Sequence, residues 1–219
     1  MKRVVKPELL DSDAGTPAEV AASLADLRRI NRWFGGIRTT LRLVDRAADS
    51  SRELSLLDVA SASGDVPRSV AAHLTRRGVR TSITLLDRAR SHMLANGRYV
   101  AGDALALPFA DSSFDLVTCS LFVHHLDPAE IIAFVNEGLR VARRAVLVND
   151  LRRHPAHLAL IYAGWPLFRS RLTRHDSVAS IWRSYTPQEL QEILGQTHAA
   201  RVEITRHYLF RMGAIAWRD

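Results

Sequence analysis

The chain has one cysteine among its 219 residues, Cys119, which excludes an internal disulfide framework and any metal site built from several thiolates. Lysine is almost absent: Lys2 and Lys6 are the only two, and every other basic residue is an arginine. The arginines are scattered as pairs, Arg28-Arg29, Arg76-Arg77, Arg143-Arg144 and Arg152-Arg153, so the formal charge of +7 does not by itself predict a nucleic-acid partner. No segment reaches the about 20 apolar residues needed to span a bilayer, and MKRVVKPELLDSDAG holds no apolar stretch of signal length, so neither insertion nor secretion is expected. A reducing, cytoplasmic setting suits such a chain. Glycine and proline are modest, 11 and 8, without repeats or biased windows, and 47% hydrophobic residues suffice for a substantial core.

What is present is an ordered alternation. Thr16-Pro17-x-Glu19 opens a helix whose apolar positions Val20, Leu24, Leu27, Ile30 and Phe34 recur at helical spacing until Gly35-Gly36 breaks the run. A second short helix, Arg38 to Ala48, precedes LSLLDVA (54–60), which is apolar on both faces as a buried parallel strand is. TSITLLD (81–87), RYVAG (98–102), FDLVTCS (114–120) and RAVLVND (144–150) read as further strands, and Asp127-Pro128 opens a helix with Ile131, Val135, Leu139 and Ala142 on its core face. Such βα units predict an α/β fold with a mainly parallel sheet and helices on both faces. After Asp150 the rhythm stops: 154–172 is apolar and contains tryptophan, TPQELQEIL (186–194) is a capped helix, and strands near 201–206 and 208–217 form an antiparallel pair. The expectation is a single domain, 1–219, in which segments 1–50 and 151–185 are a helical lid over a 51–150 core and 186–219 closes the sheet.

Open parallel sheets bind ligands beyond the carboxyl ends of their strands, which directs attention to Asp58-Val59-Ala60-Ser61-Ala62-Ser63-Gly64-Asp65. The small residues Ala60, Ala62 and Gly64 let the backbone approach a ligand. A dinucleotide fingerprint wants its third glycine where this chain has Asp65, and a carboxylate there repels a pyrophosphate. Asp58 and Asp65 instead suit the sulfonium and ammonium of S-adenosylmethionine (SAM). Asp87, followed by Arg88, ends the second strand where an acid accepts from ribose hydroxyls, Asp103 follows the third strand near the adenine edge, and Ser120 ends the fourth strand beside the same site.

LLDVASASGDVP, ITLLDRARSHML and GDALALPFADSSFDLV together resemble the class I SAM-dependent methyltransferase family over roughly 54–150. The resemblance implies a Rossmann-like, seven-stranded, mostly parallel sheet of order 3-2-1-4-5-7-6. It also implies that Asp87 binds the ribose, that Asp103 and the amide of Ala104 hold the adenine, and that the loop holds the methionine part. The chain departs from the family at Ala60 and Ala62, where glycine is usual. If φ is positive there, each alanine costs on the order of 1 kcal/mol.

Methyl transfer from a sulfonium requires an aligned acceptor and removal of its proton where one is present. His124 and His125 follow the fourth strand, and an imidazole titrating near neutrality is a candidate base. Adjacent side chains point apart, so one of the pair at most is expected to face the substrate, and the other histidines lack zinc-type spacing, so no metal is expected. Asn149, Asp150 and His154 crowd the end of the fifth strand, and Arg174-His175-Asp176 offers a carboxylate-oriented imidazole. With Asn31-Arg32-Trp33-Phe34-Gly35-Gly36, these regions bear a looser similarity to bacterial methyltransferases of quinones and phenolic polyketides, which implies a small aromatic, phenolic or quinol-like acceptor. Trp33, Phe34, Tyr162, Trp165 and Phe168 are candidates for an apolar cleft, and a peripheral membrane contact stays open.

Two other readings remain. The arginines motivate nucleic-acid (RNA) methylation, but Ser120-Leu121-Phe122-Val123 stands where base N-methylation wants an Asp/Asn-Pro-Pro-aromatic motif. Cys119 lies inside a strand, poorly placed as a nucleophile. Ala60 and Ala62 motivate a non-catalytic SAM-binding protein, and nothing in the sequence sets an oligomeric state.

Overall fold

The computed structural model describes residues 1–12, 14–49, 51–88 and 98–219. Residues 89–94 of the second motif lie outside the described residues.

The helical start read at Thr16 is a complete capping box. Thr16 N–H donates to the Glu19 carboxylate at 2.9 Å, Glu19 N–H donates to Thr16 Oγ1 at 3.3 Å, and Pro17 opens α1 (Pro17–Trp33). Gly35, at φ +80°, turns the chain into α2 (Gly36–Ala47), two residues earlier than Arg38, because the left-handed glycine itself serves as the cap.

The sheet contains β1 (Glu53–Val59), β2 (Arg80–Asp87), β3 (Tyr99–Ala101), β4 (Phe114–Ser120), β5 (Ala142–Leu151), β6 (Arg201–His207) and β7 (Arg211–Trp217). Its order is β3-β2-β1-β4-β5-β7-β6, as expected, with β7 antiparallel to both β5 and β6 and the other neighbours parallel. Strand parity divides the core. Leu57, Val59, Val117, Val146 and Val148 face α4 (Pro128–Val141) and α7 (Pro187–Leu194), while Leu54, Leu56, Leu116 and Leu147 face α2 and α3 (Asp65–Arg76). Gly138 lets α4 seat closely, since a Cβ there would lie 2.7 Å from Val146 Cγ2. β1 ends at Val59 and not at 60 because Ala60 has left the strand at φ +54°. Likewise β7 begins at Arg211, because Leu209 and Phe210 take φ of +50° and +59° in the preceding turn.

Helices α1, α5 (Pro155–Gly164) and α6 (Arg171–Arg183) roof the carboxyl edge of the sheet. Their backbone ends are bound by acids. Asp26, 1% exposed, accepts from Arg169 N–H at 2.8 Å and Ser170 N–H at 3.0 Å, and Asp176 accepts from Leu9 and Leu10 N–H at 2.8 and 3.0 Å. These bonds tie the segment before α1, α1 and α6 into one layer. Among the described residues no helix is long and apolar enough to cross a membrane. Removing the Asp26 carboxylate strands two amides. Asp26→Ala is expected to cost about 3 kcal/mol in urea denaturation, with Asp26→Asn recovering more than half because its amide oxygen still accepts.

Candidate active site

The loop between β1 and α3 is preformed and strained. Ala60, Ala62 and Gly64 have φ of +54°, +44° and +71°, so both alanines stand in the left-handed region that glycine takes freely. Ser61 N–H donates to Leu86 O at 3.1 Å, Gly64 N–H to Ser61 O at 2.8 Å, and Ala62 N–H to Asp87 Oδ2 at 2.8 Å. The acid at the end of β2 therefore fixes the loop as well as facing the cavity. Asp65, in the first turn of α3, forms an ion pair with Arg68 at 2.8 Å and accepts from Ser63 Oγ, so its charge is already partnered. Asp103 accepts from Leu105 N–H at 2.9 Å in the turn after β3.

A cavity of about 790 Å³ lies between the strand ends and the helical roof. Ala60, Ala62, Asp65, Asp87, Arg88, Asp103, Ala104 and Ser120 line one end of it. Leu24, Leu27, Phe34, Leu160 and Phe168 give it an apolar stretch, with His124, His125 and Arg211 at its polar margin. Gly64 caps α3 behind the loop. Asp58 does not line the cavity. It is 3% exposed on β1, bonded at 2.5 Å by the Thr118 hydroxyl on the paired position of β4, and burial pushes its pKa up to about 7. A group expected to meet a cation directly is thus packed beneath the loop.

The acceptor-side expectations divide the same way. His124 is 2% exposed, with Nδ1 2.7 Å from Asp150 Oδ1 and Nε2 3.4 Å from Glu8 Oε1. Burial alone would push its proton off, but the two carboxylates raise its pKa to about 10. His125 Nδ1 is 2.9 Å from Asp11, and its ring lies 4.2 Å from that of His124. The pair does not point apart, because Val123–His125 form a 3₁₀ turn after β4. Asn149 faces the other side of β5 and donates to Gly36 O and Thr40 Oγ1, both at 2.8 Å, anchoring α2. Trp33 is 69% exposed at the end of α1, and His154 caps α5, accepting from Ala156 N–H at 3.1 Å. His175 pairs with Asp176 above a separate depression lined by Lys6, Tyr162 and Trp165. These three lie outside the cavity: Trp33 and His154 stand at helix ends that face solvent, and His175 is on the exposed face of α6.

Sequence reasoning missed Glu8, Asp11, His157 and Arg211, all of which line the cavity. Arg211 is 1% exposed, burial lowers its pKa to about 10, and its Nη1 has no hydrogen-bond partner among the described residues. Its one sequence signal is a charge opening the otherwise apolar strand RMGAIAW. Glu8 and Asp11 give none, since only tertiary packing brings them to residues 124 and 125.

The carboxyl edge of this sheet fits SAM. A loop with three left-handed residues is bonded to Asp87 at the end of the cavity that Asp103 also lines, so carboxylates gather where a cationic nucleoside would lie. Asp58 supplies a test of the packing beneath that loop. A carboxyl whose folded pKa, about 7, exceeds the ordinary 3.8 binds its proton more tightly when folded, so it adds stability at low pH that disappears as pH rises through about 7. Asp58→Asn removes that slope. The melting temperature of the variant minus that of the parent is expected to rise from about pH 4 to about pH 8.

The profile of the family described as "Methyltransferase domain" matches residues 56–145. The demethylmenaquinone methyltransferase of Thermotoga maritima is 41% identical over 129 residues, 57% of this chain and 56% of that protein. The ubiquinone/menaquinone biosynthesis C-methyltransferase UbiE of Roseobacter denitrificans is 36% identical over 97 residues, 40% of this chain and 38% of that protein. The chain thus spans little more than half, or less, of the length of these relatives. In three dimensions it is similar to a SAM-dependent methyltransferase from Aquifex aeolicus, with a TM-score of 0.59 at 13% identity over 89% of this chain and 98% of that one. It is also similar to magnesium protoporphyrin IX methyltransferase from Synechocystis, with a TM-score of 0.51 at 16% identity over 84% and 82%. The match to the methyltransferase-domain family thus runs from β1 into β5, the strands whose carboxyl ends carry Asp87, Asp103 and Ser120, and the likeness to the solved methyltransferases extends to the fold as a whole.

Proposed function

We propose that the chain transfers the methyl group of SAM to a small aromatic acceptor carrying a phenolic or quinol-type oxygen. The observation that carries this reading is Arg211, a buried guanidinium whose Nη1 has no partner among the described residues, on the wall of a largely apolar cavity whose other end is lined by the SAM-type loop and acids. An acceptor oxygen, anionic as a phenolate, satisfies that nitrogen, while Phe34, Leu160 and Phe168 cover the ring. When bound, SAM supplies an electrophilic methyl on a sulfonium.

In this reading Asp87 holds the ribose hydroxyls, Asp103 with the Ala104 amide holds the adenine, and the loop amides hold the methionine part. Residues 1–50 and 151–185 act as the lid of a single domain and exclude water from the transfer. His124, with both ring nitrogens toward carboxylates and no exposure, serves as a positioning residue and not as the base. His125, oriented by Asp11 at Nδ1, is the histidine placed to take the acceptor proton in metal-free protein. Deprotonation makes the acceptor nucleophilic at oxygen and at the adjacent ring carbon. O-methylation follows from the polar groups around the acceptor oxygen, and C-methylation is the second reading, favoured by the similarity to the demethylmenaquinone and UbiE enzymes.

Two measurements test this. Incubation with methyl-labelled SAM and a panel of phenols, catechols and demethylated naphthoquinols, with products resolved by mass spectrometry and NMR, is expected to place label on an aromatic acceptor and to separate O- from C-methylation. SAM binding without transfer to any member would overturn the enzyme reading. Asp87→Asn retains an oxygen for the Ala62 amide but removes the charge, so calorimetry is expected to show at least about tenfold weaker SAM binding with little change in melting temperature. Unchanged affinity would mean that the ribose site is elsewhere.

A further inference from the structure

Glu8, His124 and His125 reach the polar margin of the cavity from two places far apart in the chain, and their ligand atoms all lie within 4.8 Å of one another. His124 Nε2 is 3.4 Å and His125 Nε2 is 3.9 Å from the Glu8 carboxylate, on Oε1 and Oε2 respectively. Tetrahedral bonds of about 2.0–2.1 Å place neighbouring ligand atoms about 3.3 Å apart, so the ligand atoms, now within 4.8 Å of one another, draw together by up to about 1.5 Å to enclose an ion. His124 Nε2 is buried without a hydrogen-bond partner among the described residues, although its ring is 2% exposed and aimed at Glu8.

The surrounding groups are arranged as an outer shell. Each imidazole is held at Nδ1 by its own carboxylate, His124 by Asp150 at 2.7 Å and His125 by Asp11 at 2.9 Å, which leaves both Nε2 atoms directed inward. Ser180 Oγ donates to Glu8 Oε1 at 2.9 Å and fixes the third carboxylate. Arg183 lies 3.4 Å from Asp11 Oδ2 and 3.9 Å from Glu8 Oε1, and its Nη2 donates to His125 O at 2.9 Å. Once an ion has displaced the imidazole protons, the carboxylates of Glu8, Asp11 and Asp150 outnumber the guanidinium groups of Arg183 and Arg211 around them, so the local charge favours a cation.

We infer that Glu8, His124 and His125 bind a divalent first-row transition-metal ion of the Zn²⁺ class, with its open coordination position toward the cavity. Two imidazoles and one carboxylate are a donor set for Zn²⁺, Co²⁺ or Fe²⁺, and three protein ligands leave room for an exchangeable one. Metal binding stands on this cluster alone. Its use, holding the acceptor oxygen as a Lewis acid in place of a histidine base, rests on the methyl-transfer reading above.

The test uses the full chain stripped by a chelator and needs neither SAM nor an acceptor, so its failure is separate from failure of the methyltransferase reading. Co²⁺ titration is expected to give visible ligand-field bands of a four- or five-coordinate ion saturating at one per chain, with Zn²⁺ displacing it. Azide is expected to shift those bands through the open position. Glu8→Gln and His125→Gln are each expected to weaken Zn²⁺ binding by at least about 100-fold in calorimetry, and Asp11→Asn by roughly 10–100-fold. Asp11 is 48% exposed at its side chain, so its variant keeps the test valid should either of the others fail to fold. Absence of stoichiometric Co²⁺ binding, or binding unchanged in these variants, would overturn the site, and bands indifferent to azide would overturn its open position.

Discussion

Two buried carboxylates, Glu8 and Asp150, converge on one imidazole, and His124 between them offsets part of their charge. Breaking such a pairing by removing one partner costs about 3–5 kcal/mol, because the remaining charge stays buried. That convergence fixes three parts of the chain at one point: the end of β5, the turn after β4 and the segment that precedes α1. The carboxyl edge of the sheet is thereby closed over by residues that no helix or strand of its own would hold there, and the cavity acquires its polar margin.

The two ends of the cavity are built on different principles. At the cofactor end, positions are set by local backbone: the left-handed loop after β1, the Ala62 amide on Asp87, the start of α3. The strain of two positive-φ alanines, on the order of 1 kcal/mol each, is carried by a short segment clamped between β1 and α3. At the acceptor end, side chains converge from the N-terminal segment, the turn after β4, α5, α6 and the start of β7, so shape there depends on how the roof packs.

This division explains what could be read in advance. Strands apolar on both faces announce a parallel sheet, and Asp87 and Asp103 were legible because an acid at a strand end has few other places to point. Asp58 was misplaced by a subtler effect: it stands inside β1 against Thr118, one residue before the chain turns. Asn149 and Asp150 show the rule of strand parity, since neighbours on β5 serve opposite layers, one anchoring α2 and the other the imidazole. Glu8 and Asp11 were invisible because their meaning is tertiary, Arg211 showed only as a charge opening an apolar strand, and Trp33, His154 and His175 misled because attractive residue types sat at positions that face solvent. The histidine pair was misjudged because a 3₁₀ turn brings the two rings side by side, tilted by 37°.

The segment before α1 has little regular structure and is held by a few main-chain bonds, Val4 N–H to Trp182 O at 2.9 Å and the Leu9 and Leu10 amides on Asp176. It nevertheless supplies Glu8 and Asp11 to the acceptor end and nothing to the loop that faces Asp87. The polar margin of the cavity is therefore separable from the loop after β1: exchanging these first dozen residues between homologues alters the carboxylates beside His124 and His125 as a cassette and leaves the Ala62–Asp87 bond in place.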